Sequence, residues 1–303
     1  MSTASDRSQP GAWRTAIDQI KRRSLRGVKR LVRPLWMRRL QHQNLQGAGP
    51  VAVPGSAGPV VSLTTFGQRI EQVHYTVESI AAGTLLPSRL MLWVDAVVLQ
   101  RGLPAALQRL VARGLEVRGC QDVGPHTKYF PAVNALPADR ALVTADDDVL
   151  YPRRWLAGLV QASRADPTSI VCYRAHVVSF ATDGSLAPYD GWPACRSTLP
   201  SPRHFVTGVA GALYPARMQL ALREAGDAFL ACCPRADDIW LNAIAWRTRV
   251  PVRQITPFHP VLFELPGSRS TGLARHNVQG GGNDEQLRAT FSAAELAALR
   301  ASH

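Results

Sequence analysis

Leu142-Val143-Thr144-Ala145-Asp146-Asp147-Asp148 reads as an apolar strand that runs directly into three consecutive carboxylates. α/β sheets gather their ligands at the carboxyl edge of the strands, so this charge stands where a ligand is expected. Side chains alternate faces along an extended backbone, which puts Asp146 and Asp148 on one side and Asp147 on the other. Two carboxylates on one side repel unless a cation lies between them. A hard divalent ion, held by one or two carboxylates and by substrate phosphates, meets that need, and the implied ligand is a metal-bound diphosphate. The competing reading is a solvated turn whose Asp caps a helix beginning near Pro152.

Outward from this strand, apolar runs and helical periods alternate. Strands are expected at 60–64, 89–94 and 115–119, and helices at 69–82, 103–113 and about 129–135, before the strand that ends in the triplet. That alternation builds a mostly parallel sheet covered by helices. Further on, strands near 169–173 and 175–180 precede a Pro- and Trp-bearing loop to about 204, followed by helices near 215–225, 236–247 and 292–301. No Gly-x-Gly-x-x-Gly follows the first strand and no Walker loop occurs, which disfavours dinucleotide and P-loop folds. The composition, 46% hydrophobic and 19% charged over 303 residues, is that of an ordinary globular chain.

Other candidates sit at the ends of the same strands. Thr64 and Thr65 follow the first strand, where hydroxyls and free backbone suit a base or ribose; helix capping is the alternative. Asp95 ends the second strand and suits ribose hydroxyls or a base imino group. Lys128, in Pro125-His126-Thr127-Lys128-Tyr129-Phe130, is the only lysine after Lys29 in a chain that otherwise uses arginine. A compact ammonium suits a phosphate or leaving group that must be met as a point charge.

Taken together, SerLeuThrThr from Ser62, LeuTrpValAsp from Leu92, GlyProHisThrLysTyrPhe from Gly124, ThrAlaAspAspAspValLeuTyrPro from Thr144, Thr207-Gly208-Val209-Ala210-Gly211 and Arg235-Ala236-Asp237-Asp238-Ile239-Trp240 resemble bacterial glycosyltransferases of the GT-A fold, in particular the family-2-like enzymes of capsule and lipopolysaccharide assembly. The similarity spans roughly residues 60–260. It implies metal-dependent transfer of a hexose-type residue from a nucleoside diphosphate sugar, a UDP-sugar favoured, to a glycan or lipid-linked acceptor, with inversion by direct displacement. It assigns Thr64, Thr65, Asp95, His126, Lys128, Asp146 and Asp147 to the donor. Asp146, Asp148 and a late histidine, His259 ahead of His276, would hold Mn²⁺ or Mg²⁺. The family pair before the acceptor helix is usually Glu-Asp, with the second carboxylate as base; here it is Asp237-Asp238, so Asp238 takes that role, alongside Asp237 and Lys128. The Gln-x-x-Arg-Trp signature of processive polymerases is absent, which favours single-sugar transfer. The stretch from Ser268 to Asp284 has the small residues of a lid. A metal-dependent nucleotidyltransferase or phosphohydrolase is the enzymatic alternative, and a non-catalytic membrane scaffold the other.

The net charge of +13 is concentrated: residues 1–45 hold eleven Arg and Lys against Asp6 and Asp18, a balance of +9. Basicity thus belongs to an appendage and argues no nucleic-acid partner for the globular part. Trp13, Ile17, Ile20, Val28, Leu31, Leu35 and Trp36 recur at helical spacing opposite cations, the pattern of an interfacial helix on an anionic membrane over residues 12–40, with Pro34 expected to bend or interrupt it. Residues 46–59 read as a Gly/Pro/Ala linker to a catalytic domain over 60–303, whose nucleotide-sugar half is 60–150 and whose acceptor half is 151–303. Five scattered cysteines suggest reduced thiols, and no apolar run is long enough to span a membrane. The expected location is cytoplasmic, peripheral on the inner membrane face.

Overall fold

A computed structural model describes residues 12–267 and 281–302, with side chains described from residue 27 onward. Helix α1 (Ala12–Gln46) leads into β1 (Val60–Thr64), a 3-10 turn at Gly67–Glu71, α2 (Val73–Ala81), β2 (Arg89–Asp95), α3 (Ala96–Arg101), α4 (Ala105–Val111) and β3 (Leu115–Cys120). A second 3-10 turn, Gly124–Lys128, is followed by α5 (Phe130–Ala135), β4 (Leu142–Ala145), β5 (Val149–Leu150), α6 (Trp155–Ala165), β6 (Ile170–Cys172), β7 (Ala175–Val177) and β8 (His204–Val206). The rest comprises β9 (Ala212–Tyr214), α7 (Ala216–Ala225), α8 (Phe229–Cys232), α9 (Asp237–Arg247), β10 (Val252–Gln254), β11 (Phe263–Glu264), α10 (Gly282–Thr290) and α11 (Ala293–Ala301).

The main sheet has the order β10-β6-β9-β4-β1-β2-β3, and every pairing is parallel except those of β9 with β4 and β6. The α/β architecture expected from the sequence, a Rossmann-like mostly parallel sheet flanked by helices, is therefore the one observed. Parallel strands need cover on both faces, and the inner strands β1, β2 and β4 have it, while the edge strand β3 is partly exposed. Along β2, Met91 and Trp93 enter one core with Leu142, Tyr129, Tyr214 and Ile239, while Leu90, Leu92 and Val94 enter the other with Leu63, Val77, Leu107 and Leu159. The carboxyl ends of β1, β4 and β6 open on one edge of the sheet. Because β9 runs the other way, the glycine-bearing turn before it lies at that same edge.

Three readings of the amino-terminal region are corrected. Helix α1 runs through Pro34 without a break; Pro34 and Arg30, whose carbonyl loses its partner, are both exposed, so water can satisfy that group. Trp36 does not belong to the outward stripe. Its ring meets Phe263 edge-on at 5.5 Å, and Leu40 beyond it is buried with Leu150 and Leu265. Finally, the 46–59 segment is no free tether. Val51 and Ala52 are buried in the core, and the end of α1 is held by Asn44, whose amide donates to Glu78 Oε1 at 3.0 Å and whose oxygen accepts from Arg109. Glu78 is paired in turn with Arg113 at 2.5 Å.

Candidate active site

The sheet edge forms a cleft of about 520 Å³ whose walls include Thr64, Phe66, Arg69, Lys128, the Asp146–Asp148 triplet, Arg174, Tyr189, Gly208, Asp237, Asp238 and Asn283. A larger cavity of about 690 Å³ lies behind α9. Its only carboxylate, Glu295, is bonded by Arg247 at 2.8 Å, so the reactive groups are in the smaller cleft.

Within the triplet the three carboxylates have separate tasks. Asp147 is 5% exposed and turned into the protein, where its carboxylate accepts from Thr65 Oγ1 at 2.6 Å and from Arg69 Nη1 at 2.7 Å. Its carbonyl accepts from Thr76 at 2.8 Å. It is a clamp on the turn after β4. Asp146 meets Lys128 Nζ at 2.9 Å, and Asp148 meets Arg69 Nη2 at 3.1 Å. Burial, then the negative charge of Asp146, pushes the Asp148 carboxyl up to about 7, with Asp147 and Glu264 adding to this and Arg69 opposing it. Burial and the neighbouring carboxylates together therefore oppose ionisation of Asp148, as they would where a cation is to be held.

Lys128 joins this turn to the opposite wall. Its ammonium is 2.9 Å from Asp146 and 3.2 Å from Asp237. Burial alone would lower its pKa, but the carboxylates of Asp146, Asp237 and Asp238 hold it well above the ordinary lysine value. The ammonium is thus committed to ion pairs, which changes what its removal should do. Lys128→Ala strands Asp146 and Asp237 in a buried site, so the expected loss is about 3–5 kcal/mol of stability as well as turnover. Chemical unfolding of Lys128→Ala beside Lys128→Arg checks this: full stability in the alanine variant would show the pairs to be weak.

Asp237 and Asp238 open α9. Asp237 is 7% exposed and faces Lys128. Asp238 Oδ1 accepts the Gly208 backbone N–H at 2.9 Å. Burial first, and Asp237 second, push its carboxyl up to about 7 against the opposing pull of Lys128 and that N–H. At Gly208 a Cβ would stand 3.2 Å from Asp238 Oδ1 and 3.5 Å from Lys128 Nζ, so a side chain here would press on the Asp238 carboxylate. In Gly211, at φ +84°, a Cβ would meet the Trp155 ring at 2.6 Å.

Not every candidate from the sequence is in the cleft. Thr64 lines it, and Thr65 contributes through Asp147. Asp95 is instead the cap of α3, accepting from Val97 N at 2.9 Å, and is exposed away from the lining. A strand that ends in a carboxylate just before a helix has free N–H groups waiting for it. His126 is fully buried, stacked on Phe229 at 3.9 Å between the Tyr129 hydroxyl and the Cys233 carbonyl, and burial lowers its pKa. It fastens the Gly124–Lys128 turn rather than reaching donor. His259 packs near His176, ring centroids 6.3 Å apart, and is not among the cleft residues. His276, and residues 268–280 of the expected lid, lie outside the described residues.

Among the described residues no three His, Cys, Asp or Glu side chains converge as a metal site. The donor set still fits a hard divalent ion in the form the sequence implies. Asp146 and Asp148 each engage one oxygen with a cation and keep the other for a metal, and a diphosphate would supply further oxygens. Arg69, Arg174, Tyr189 and Asn283 were not singled out from the sequence. One arginine among 32 carries no positional signal, and Asn283 lies in a stretch that reads as loop.

No protein-family model and no curated protein sequence matches the chain. Solved structures similar to it include TarS residues 1–349 of S. aureus, at 11% identity over 80% of this chain and 70% of that one, with a TM-score of 0.44. The mannosyltransferase PcManGT from Pyrobaculum calidifontis, in complex with GDP-Man and Mn²⁺, is 14% identical over 91% of this chain and 77% of that one, with a TM-score of 0.47. A 4-diphosphocytidyl-2C-methyl-D-erythritol synthase is 10% identical over 55% and 78%, with a TM-score of 0.35. At these values the likenesses assign no activity.

Proposed function

We propose that the protein is an inverting glycosyltransferase that moves a sugar from a nucleoside diphosphate sugar, a UDP-sugar favoured, to a glycan or lipid-linked acceptor. The observation that carries this reading is the juxtaposition across one cleft of a carboxylate pair suited to a metal diphosphate and the carboxylates of Asp237 and Asp238 at the start of α9, with Lys128 bridging Asp146 and Asp237. Asp146 and Asp148 would hold Mn²⁺ or Mg²⁺, which when bound would neutralise the diphosphate. Thr64 lines the donor end, and Asp147 with Thr65 and Arg69 fixes the turn.

Asp238 supports the reading as the base. The Gly208 N–H occupies one carboxylate oxygen and leaves the other for the acceptor hydroxyl. A carboxyl pushed up to about 7 is basic enough to take that proton while still partly ionised at neutral pH. The acceptor oxygen then bonds to the anomeric carbon as the bond to the diphosphate oxygen breaks, and the nucleoside diphosphate leaves with both electrons. Lys128 holds Asp146 and Asp237 and adds positive charge beside the leaving group. Thermal unfolding against a panel of nucleotide sugars, with and without Mn²⁺, tests the assignment. One donor should stabilise the protein in the presence of the metal, and no stabilisation by any would reject it.

On the same reading the enzyme works peripherally on the inner face of a cytoplasmic membrane, through α1. No helix among the described residues is long and apolar enough to cross a membrane. The outer face of α1 exposes Val28, Val32, Leu31 at 75% and Leu35 at 62%, with Arg30, Arg38 and Arg39 also exposed. No Asp or Glu occurs from residue 19 to residue 70. Apolar area bordered by cations suits anionic lipid, each basic residue near the surface adding about 1 kcal/mol. The full chain should therefore sediment with vesicles containing phosphatidylglycerol and not with phosphatidylcholine alone. Leu31→Glu with Leu35→Glu should abolish this without changing the unfolding temperature; unchanged sedimentation would exclude the outer face.

A further inference from the structure

The cleft wall on the Asp238 side holds polar groups that the transfer chemistry leaves unused. Arg69 and Lys128 are each shared between two carboxylates, but Arg174 forms no ion pair and no side-chain hydrogen bond among the described residues. It is placed by its backbone: its carbonyl accepts the Thr207 N–H at 3.1 Å, and the next residue, Gly208, donates to Asp238. Arg174 thus stands one residue-pair away from the base.

Two neighbours on that wall complete a surface. Tyr189 is held against Trp192 and Phe205 at 5.1 and 5.7 Å, and its backbone N–H donates to Asp284 at 2.9 Å. That bond ties the Tyr189 turn to the start of α10, where Asn283 lines the cleft. Asn283 is 7% exposed, and its Oδ1 is buried without a hydrogen-bond partner among the described residues. A buried amide oxygen left unpaired is destabilising, and a donated hydroxyl relieves it. Burial raises the Tyr189 hydroxyl pKa, Asp238 raises it further and Arg174 opposes them, which is consistent with all three facing one space.

An aromatic ring, an amide oxygen and a guanidinium without side-chain partners among the described residues, on the walls of the cleft that holds Asp238, describe a subsite for a charged sugar. We propose that the acceptor is an acidic saccharide: its carboxylate or phosphate pairs with Arg174, its ring lies against Tyr189, and one hydroxyl donates to the Asn283 amide. This rests on the glycosyl-transfer reading and adds the chemical class of its acceptor. Guanidinium matches either acid through paired N–H donors, so the shared chemistry is the anion.

The test uses the full chain saturated with the nucleotide sugar that stabilises it most, and three probes: phenyl β-D-glucuronide, glucose 6-phosphate and the neutral phenyl β-D-glucoside. Binding is followed by calorimetry. At least one acidic probe should bind tenfold or more tightly than the neutral one, and which one does so separates carboxylate from phosphate. Arg174→Gln should erase that preference with donor affinity unchanged, Arg174→Lys should restore part of it, and Asn283→Ala should weaken every probe that binds. No preference for acid, including no binding of either acidic probe, overturns the inference while leaving donor binding and the transfer reading intact. So does an Arg174→Gln variant that loses donor affinity instead, because Arg174 would then be a diphosphate contact. Failure of the protein to bind any nucleotide sugar removes the transfer reading and this inference with it.

Discussion

Asp238→Asn is expected to bind donor as the wild type does and to transfer sugar about 10²–10⁴-fold more slowly, the usual contribution of a positioned general base. Asparagine keeps the size of the side chain and an oxygen for the Gly208 N–H, and loses only basicity. Two pH signatures accompany the loss. Wild-type transfer should fall as pH drops below about 7, because the base is then protonated. Stability should move the other way. The folded carboxyl titrates near 7 and an unfolded one near the ordinary aspartate value, about 3.9, so this group favours the fold below that value and loses its contribution as pH rises through about 7. Asp238→Asn should therefore unfold at a higher temperature than wild type at pH 8, with the difference shrinking toward pH 4. Transfer within a few-fold of wild type would make Asp238 a helix cap and turn attention to Asp237.

Asp148→Asn is expected to remove the metal-dependent part of donor binding, with donor affinity in Mn²⁺ falling to its level in chelator. That loss should exceed the roughly 10–100-fold typical of changes just outside a coordination shell. Folding should be nearly unchanged, because Arg69 keeps its bond to Asp147. Asp147→Asn should behave oppositely. It weakens a buried charge-assisted pair and so costs about 2–3 kcal/mol of stability, while the metal increment in donor binding survives. Calorimetric titration of donor with and without Mn²⁺, beside chemical unfolding, distinguishes the two; equal losses of donor affinity at both positions would defeat the Asp-x-Asp reading.

How far the sequence was legible depends on the kind of signal. Strands β1, β2 and β4 are mostly apolar runs because they lie inside a parallel sheet buried on both faces, while the edge strand β3 alternates apolar and charged residues; all four positions are readable to within a residue or so. Strand β9 is three residues long and has no period to read, so the single reversal in the sheet is invisible until the neighbours are known. Helix α3 was missed for a related reason: its cap, Asp95, also ends a strand, and a carboxylate there reads equally as a ligand. Motif positions such as Asp146, Asp148 and Asp238 fall together in one cleft, whereas His126 and His259 do not. Histidine adjacency in a motif does not say which way the ring turns, and the stacking of His126 on Phe229 brings together residues far apart in sequence. The same holds for Arg69 and Arg174, whose importance comes only from what folding sets beside them.

The most direct test of the central claim is to incubate the protein with its stabilising nucleotide sugar and Mn²⁺, with and without acceptor, and to identify the released nucleotide. Glycosyl transfer predicts free nucleoside diphosphate in step with acceptor glycosylation, abolished by chelator and by Asp238→Asn. Release of nucleoside monophosphate with sugar 1-phosphate, or formation of nucleoside triphosphate from added pyrophosphate, would contradict it and assign the Asp146–Asp148 turn to phosphohydrolysis or nucleotidyl transfer.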